Sequence, residues 1–187
     1  MRFLSKLAWL CCPVLLSAQT PAAGLQPDWD VRVILQEMSD HATRLQPVLN
    51  QVDVNAWVEK GASETYRTQL QASKDQARTF AEQAKELTRN PEKLSPCLEL
   101  YFRVQALEQM IGSLADGIRK YQDPALAETL TSLSAENGAN RNRLETYIVS
   151  LAAEREQVCA VMDQEAQRCR SFLATHPPAK ANRGKKK

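Results

Sequence analysis

The chain has 187 residues, with 24 lysines and arginines against 22 aspartates and glutamates. This length suits a single domain. Setting aside Arg2 and Lys6 near the start and five basic residues in the last eight positions leaves 24 − 2 − 5 = 17 basic residues against 22 acidic ones. The positive charge therefore lies in a tail rather than on the folded part, which argues against a nucleic-acid-binding domain.

The first residues have the pattern of a secretory signal peptide. A basic start precedes an apolar run over residues 7–16, and small or polar residues follow over 17–21. The apolar run is too short to span a membrane as a helix. We predict that residues 1–18 are the signal peptide, cleaved after Ala18. The protein is then exported, periplasmic or extracellular, with no transmembrane segment in the mature chain.

A lipoprotein signal is the alternative interpretation of the same segment. Cys11 and Cys12 lie inside it, and lipidation occurs on a cysteine. Leu10 occupies the position where such a signal needs a small residue, so we favour simple cleavage.

The mature chain is predicted to be all-α, because no stretch alternates apolar and polar residues as a strand does. Residues 19–27 form an extended leader, and Asp28 caps the first helix. Pro47 ends or kinks that helix, and a short second piece stops at Gly61. The apolar stripe of the first helix is Val31, Ile34, Leu35, Met38, Ala42 and Leu45.

Two further helices follow, from Ser63 to about Asn90 and from Ser95 to about Tyr121. The first has a coiled-coil-like seam, and the second is predicted to open with Ser95 as its cap. Gly112 and Gly117 lie within it and mark either a close helix crossing or solvent-facing positions of no consequence. The seam consists of Tyr66, Leu70, Ser73, Ala77, Phe80, Ala84 and Leu87.

The last helix is predicted to run from Asp123 to Leu173, roughly 75 Å if unbroken. Short connections force neighbouring helices antiparallel, so we expect an up-down-up-down bundle of four helices over residues 28–174. The third helix is only about 42 Å long, so the fourth overhangs it, from about Met162 onward. Residues 175–187 form a disordered basic tail.

The apolar stripe of the last helix is interrupted by Asn137 and Asn140. A buried polar layer that fixes helix register is one interpretation, and a kink at Gly138 is another. The third is a small polar binding site. That site needs partners that converge on the asparagines, for which the candidates are Asp116, Arg119 and Arg141.

Catalytic and cofactor motifs are absent from the sequence. The chain has two histidines, and Glu37 and His41 form only an isolated pair, whereas a di-iron bundle needs two Glu-x-x-His motifs. No haem-attachment motif, glycine-rich phosphate loop, nucleophile elbow or zinc-ligand spacing occurs. We therefore predict no enzyme activity, no cofactor and no metal site.

Three cysteines remain after cleavage, Cys97, Cys159 and Cys169, so at least one is free or bonded to another chain. Cys159 and Cys169 are ten positions apart on one helix, about 15 Å, which is too far for a disulfide. They are either half-buried small hydrophobes or an intermolecular link. The residues proposed for self-association are Cys159, Met162, Cys169 and Phe172.

These features predict an exported, non-enzymatic helical bundle that acts by protein–protein interaction or scaffolding in the cell envelope. Its partner is another protein or a second copy of itself, bound through the far half of the last helix. The alternative is a bundle that binds a small ligand or a metal at the polar layer around Asn137–Asn142.

Overall fold

The computed structural model describes residues 28–176, and this part of the chain is helical without any strand. The predicted all-α bundle is confirmed. The predicted signal peptide (1–18), the leader (19–27) and residues 177–187 of the tail lie outside the described residues. The helices are α1 (Asp28–Leu49), α2 (Val54–Glu59), α3 (Thr65–Leu87), α4 (Leu94–Tyr121), α5 (Pro124–Ala135) and α6 (Asn137–Thr175).

Helices α1 and α4 each pack against α3 and against both α5 and α6, which encloses one core. Ser39 donates to the carbonyl of Ala81, and Gln46 donates to the carbonyl of Lys74. These bonded pairs run in opposite order along α1 and α3, so the two helices are antiparallel. No helix in residues 28–176 is long and apolar enough to cross a membrane.

Helix α2 is a single turn with a side-chain cap at one end and a glycine at the other. Asp53 accepts a hydrogen bond from the backbone of Ala56 at 3.1 Å. Beyond the helix, Gly61 has φ +89°, and Ala62 donates back to the carbonyl of Trp57. This is the glycine-terminated motif that the sequence predicts at Gly61.

The indole of Trp57 on α2 closes one end of the core. It is fully buried, lies edge-on to Tyr66 and stacks with Tyr121. The indole also donates to the side-chain oxygen of Gln122 at 3.1 Å. Gly117 on α4 makes room for this ring, because a Cβ there would lie 2.8 Å from the indole. The close approach predicted at Gly117 is thus present.

The predicted helix starts are partly right. Asp123 caps α5 by accepting from the backbone of Ala125 at 2.9 Å, with Pro124 in the first turn, as expected. The cap at Ser95 is wrong. Helix α4 begins one residue earlier, at Leu94, whose side chain packs against the core.

The observed helix bounds give the outcome of two predictions, a helix end or kink at Pro47 and a single long last helix. Pro47 lies inside α1, which ends two residues later at Leu49. The single long last helix is wrong, because a turn at Glu136 divides it into α5 and α6. Asn137 and Gly138, which follow that turn, are poor helix formers.

At the opposite end of the bundle, three groups meet at the connection between α3 and α4. The Cys97 thiol and the Tyr147 hydroxyl both donate to the carbonyl of Pro91, each at 3.1 Å. Arg155 of α6 then donates to the carbonyl of Glu92 at 3.2 Å. Through the Tyr147 and Arg155 hydrogen bonds, α6 is attached to this end of the bundle.

Replacing Gly117 with alanine tests the packing of Trp57. A methyl group there meets the indole and the Tyr66 ring at 3.0 Å or less, so we expect Gly117→Ala to lower the free energy of unfolding by about 1–3 kcal/mol. Gly112→Ala is the matched control, since nothing lies within 4 Å of its Cβ, and it should stabilise by up to about 1 kcal/mol. Urea denaturation of both variants measures the difference. Equal stabilities would contradict this account of the Trp57 packing.

A projecting helix as candidate interaction surface

Helix α6 continues well past the bundle. Leu151 is its last buried residue, and residues 153–175, which we call the α6 extension, are exposed except for a half-buried Ala166. At 1.5 Å per residue the extension is roughly 35 Å long. The predicted overhang from about Met162 is too short. The bundle ends where the carbonyls of Pro91 and Glu92 accept hydrogen bonds from α6. The projecting part of α6 therefore begins near Arg155 rather than at Met162.

The apolar face that α6 uses inside the bundle continues along the extension. Val158, Met162, Cys169 and Leu173 keep the spacing of the buried residues, and helical geometry places them on the same face. Leu151, Met162 and Leu173 are eleven residues apart, which is three turns of a helix. The buried residues of α6 are Asn137, Asn140, Leu144, Tyr147, Ile148 and Leu151.

Large apolar side chains on the extension are open to solvent. Met162 is 66 % exposed and Leu173 is 58 % exposed, whereas the buried Leu151 is 1 % exposed. Val161 and Phe172 lie beside this face and are also exposed. The Phe172 ring stacks on the imidazole of His176, with centroids 4.7 Å apart. Within residues 28–176 no other segment covers this apolar series, which makes it the candidate interaction surface.

The charges of the extension are not evenly distributed along it. Its four acidic residues all precede its last two basic residues, Arg168 and Arg170. Arg155 is the exception, and it is bonded to the end of the bundle. Glu165 and Arg168 form an ion pair at 2.7 Å within the helix. The acidic residues are Glu154, Glu156, Asp163 and Glu165.

The residues predicted for self-association all lie on the extension and are exposed. Met162 and Cys169 share its apolar face, while Cys159 and Phe172 lie on either side of that face. Both of these cysteines are free thiols. Cys97 is far from them, buried beside Pro91 in the bundle.

The predicted polar layer is buried, but its contacts differ from those expected. Asn137 and Asn140 are both buried. The ring Nδ1–H of His41 donates to the side-chain oxygen of Asn137 at 3.1 Å. His41 Nε2 lies 3.7 Å from a carboxylate oxygen of Glu136, which also pairs with Arg44. Sequence reasoning missed this pairing, although His41 adjoins the core position Ala42 on the apolar stripe of α1.

The partners suggested for the layer do not converge on it. Asp116 and Arg119 pair with each other at 2.9 Å on the exposed surface, and Arg119 also reaches Glu128. Arg141 pairs with Glu108 instead. Each of the three candidates thus pairs with an opposite charge rather than with Asn137.

Beside the Arg141–Glu108 pair, a cleft of about 310 Å³ separates α4 from the α5–α6 turn. Gly112 and Gly138 line it, and neither has an atom within 4 Å of where its Cβ would be. Within residues 28–176 no group of three or more His, Cys, Asp or Glu side chains is arranged to hold a metal ion. A small-ligand site in this region stays a prediction.

Thiol labelling tests the placement of the cysteines. Burial raises the pKa of Cys97 to about 11, and the nearby charge of Glu92 contributes. At pH 8 only about one part in a thousand of this thiol is then thiolate, the reactive form. We expect Cys159 and Cys169 to react with an aromatic disulfide reagent first and Cys97 only after unfolding in denaturant. Cys97→Ser is the control that removes the late phase, and prompt labelling of Cys97 in the folded protein would contradict its burial.

No family model, curated protein or solved structure is significantly similar to this chain. No relative therefore supplies a function. We therefore choose the candidate functional surface from the contacts, exposure and charges of the residues described above.

Proposed function

We propose that this protein is an exported, non-enzymatic helical bundle that acts by protein–protein interaction or as a scaffold in the cell envelope. The α6 extension is its binding surface. The observation that carries the proposal is the apolar face of α6, which is buried in the bundle and then continues uncovered through Met162 to Leu173.

The energetics of an exposed helix support a bound partner. A helix outside a fold is marginal in water, because most helical stability in proteins comes from packing of the apolar face. Burying a side chain such as Met162 or Leu173 contributes about 1.5–3 kcal/mol each. A partner with a complementary apolar groove or helix thus stabilises the extension and gains affinity from the same contacts.

The shape of the bundle suits a scaffold role. The bundle end at Pro91 and Glu92 holds α6 through hydrogen bonds and leaves the extension to reach roughly 35 Å beyond it. The predicted signal peptide places this activity in the envelope or outside the cell. Binding by such a surface needs no catalytic group, in keeping with the absence of catalytic motifs from the sequence.

Capture from an envelope extract with Met162→Glu and Val149→Glu variants tests the proposal. Met162 and Val149 are 66 % and 65 % exposed on the same helix, but only Met162 lies on the extension. A buried glutamate removes the apolar contact, so we expect Met162→Glu to weaken capture of the partner, including an untagged copy, by roughly tenfold to a hundredfold. Val149→Glu should capture as the unmodified protein does. Equal capture by all three proteins, or none by any, would contradict the proposal.

A further inference from the structure

We infer that the occupant of the apolar face is the α6 extension of a second copy of this chain, packed antiparallel. The inference rests on the proposed function and names its partner. It follows from three properties of the extension: no segment of residues 28–176 covers it, its apolar series is symmetric about its middle, and its charges change sign along its length.

No segment of residues 28–176 covers this face, and the sequence on either side of them is poor in apolar residues apart from the predicted signal peptide. Residues 177–187 contain no large apolar residue other than prolines, and residues 19–27 contain only Leu25. The apolar residues of segment 1–18 belong to the predicted signal peptide. The bundle itself ends near Arg155, whose guanidinium donates to the carbonyl of Glu92. We therefore assign the cover to a helix from another molecule.

The apolar series is symmetric about the point between Glu165 and Ala166. Val158 and Leu173 are equally far from that point, as are Met162 and Cys169. Two antiparallel copies centred there place Val158 opposite Leu173 of the second copy and Met162 opposite its Cys169. Each apolar side chain then meets an apolar one or a thiol, as in the seam of a coiled coil.

The same register fits the length of the extension. Its centre lies within a residue or two of the middle of residues 153–175, so nearly the whole extension of each copy is used. His176 of the second copy then reaches the level of Arg155, where the bundle begins. A pairing shifted further toward the bundle would run the second helix into the connection between α3 and α4.

Charge selects the antiparallel direction. In this register Asp163 lies beside Arg170 of the second copy, and Glu165 lies beside its Arg168, each pair on one flank of the seam. A parallel, in-register pair instead sets every charged residue of the extension level with the same charge on the second copy, which is unfavourable, whereas the antiparallel register leaves only Glu165 near its own counterpart.

In this register, neither cysteine of the extension lies opposite the same cysteine of the second copy. Cys169 faces Met162 of the second copy, and Cys159 lies level with Phe172 but on the opposite flank of the seam. The two copies of Cys169 are then roughly 10 Å apart along the helix axis, beyond disulfide reach. The association accordingly rests on apolar packing and needs no intermolecular disulfide, which replaces the covalent link considered for these cysteines.

Light scattering of the purified full chain, with reductant present, tests the association. We expect the mass of a dimer for the unmodified protein and for Val149→Glu, and the mass of a monomer for Met162→Glu. Circular dichroism and urea denaturation of the variants confirm that the bundle remains folded. A monomer at every concentration, or a dimer that survives Met162→Glu, would overturn the inference.

Disulfide trapping tests the direction. In a Met162→Cys, Cys159→Ser protein, facing seam positions have Cα atoms roughly 5 Å apart, which a disulfide bridges. The antiparallel register links the introduced thiol to Cys169 of the other copy, identified by peptide mass spectrometry. Links from position 162 to 162 and from 169 to 169 would show parallel pairing and overturn the inference.

The outcomes separate this inference from the proposed function. A monomeric protein that still captures an envelope partner in a Met162-dependent manner overturns the second copy as occupant and leaves the proposed function standing. A monomer whose capture is also unchanged by Met162→Glu overturns both. A dimer lost in Met162→Glu and trapped between positions 162 and 169 supports both.

Discussion

Helix α6 is longer than the helices that pack against it, and the rest of the structure depends on this difference in length. The connection between α3 and α4 lies at Pro91 and Glu92. The carbonyl of Pro91 accepts a hydrogen bond from the Tyr147 hydroxyl of α6, and the carbonyl of Glu92 accepts one from Arg155. The apolar spacing of α6 continues past this point with nothing in residues 28–176 opposite it. The same periodicity that builds the core thus also creates the exposed face, which is the surface proposed for a partner.

The fixed end of the bundle and the free extension have opposite roles. Cys97 and Tyr147 share the Pro91 carbonyl inside the bundle, and the Trp57 indole fills the other end against Gly117. These contacts stabilise the two ends of the bundle, and none of them involves residues 153–175 of α6. For the proposed partner, a rigid base with an apolar helix projecting from it lowers the entropic cost of binding, because the helix is already in place up to the last buried turn.

Local signals in the sequence predicted local structure well. Asp123 before Pro124 and the glycine at position 61 identified a helix start and a helix end, since each acts within a few residues. Ser95 lies inside the helix rather than at its cap, since α4 begins at Leu94, whose half-buried side chain packs against the core. The His41–Asn137 contact joins residues 96 positions apart, and periodicity alone does not reveal such a pair. The overhang was predicted, but its beginning depends on where a distant connection turns.

The most direct measurement of the central claim is amide hydrogen exchange in residues 153–175 as a function of protein concentration. A helix without a partner opens easily, and its amides exchange quickly at any concentration. If a second copy covers the extension, exchange there slows as concentration rises, while exchange in the core around Leu114 and Phe80 stays constant. Fast exchange in the extension that does not change with concentration would contradict the account.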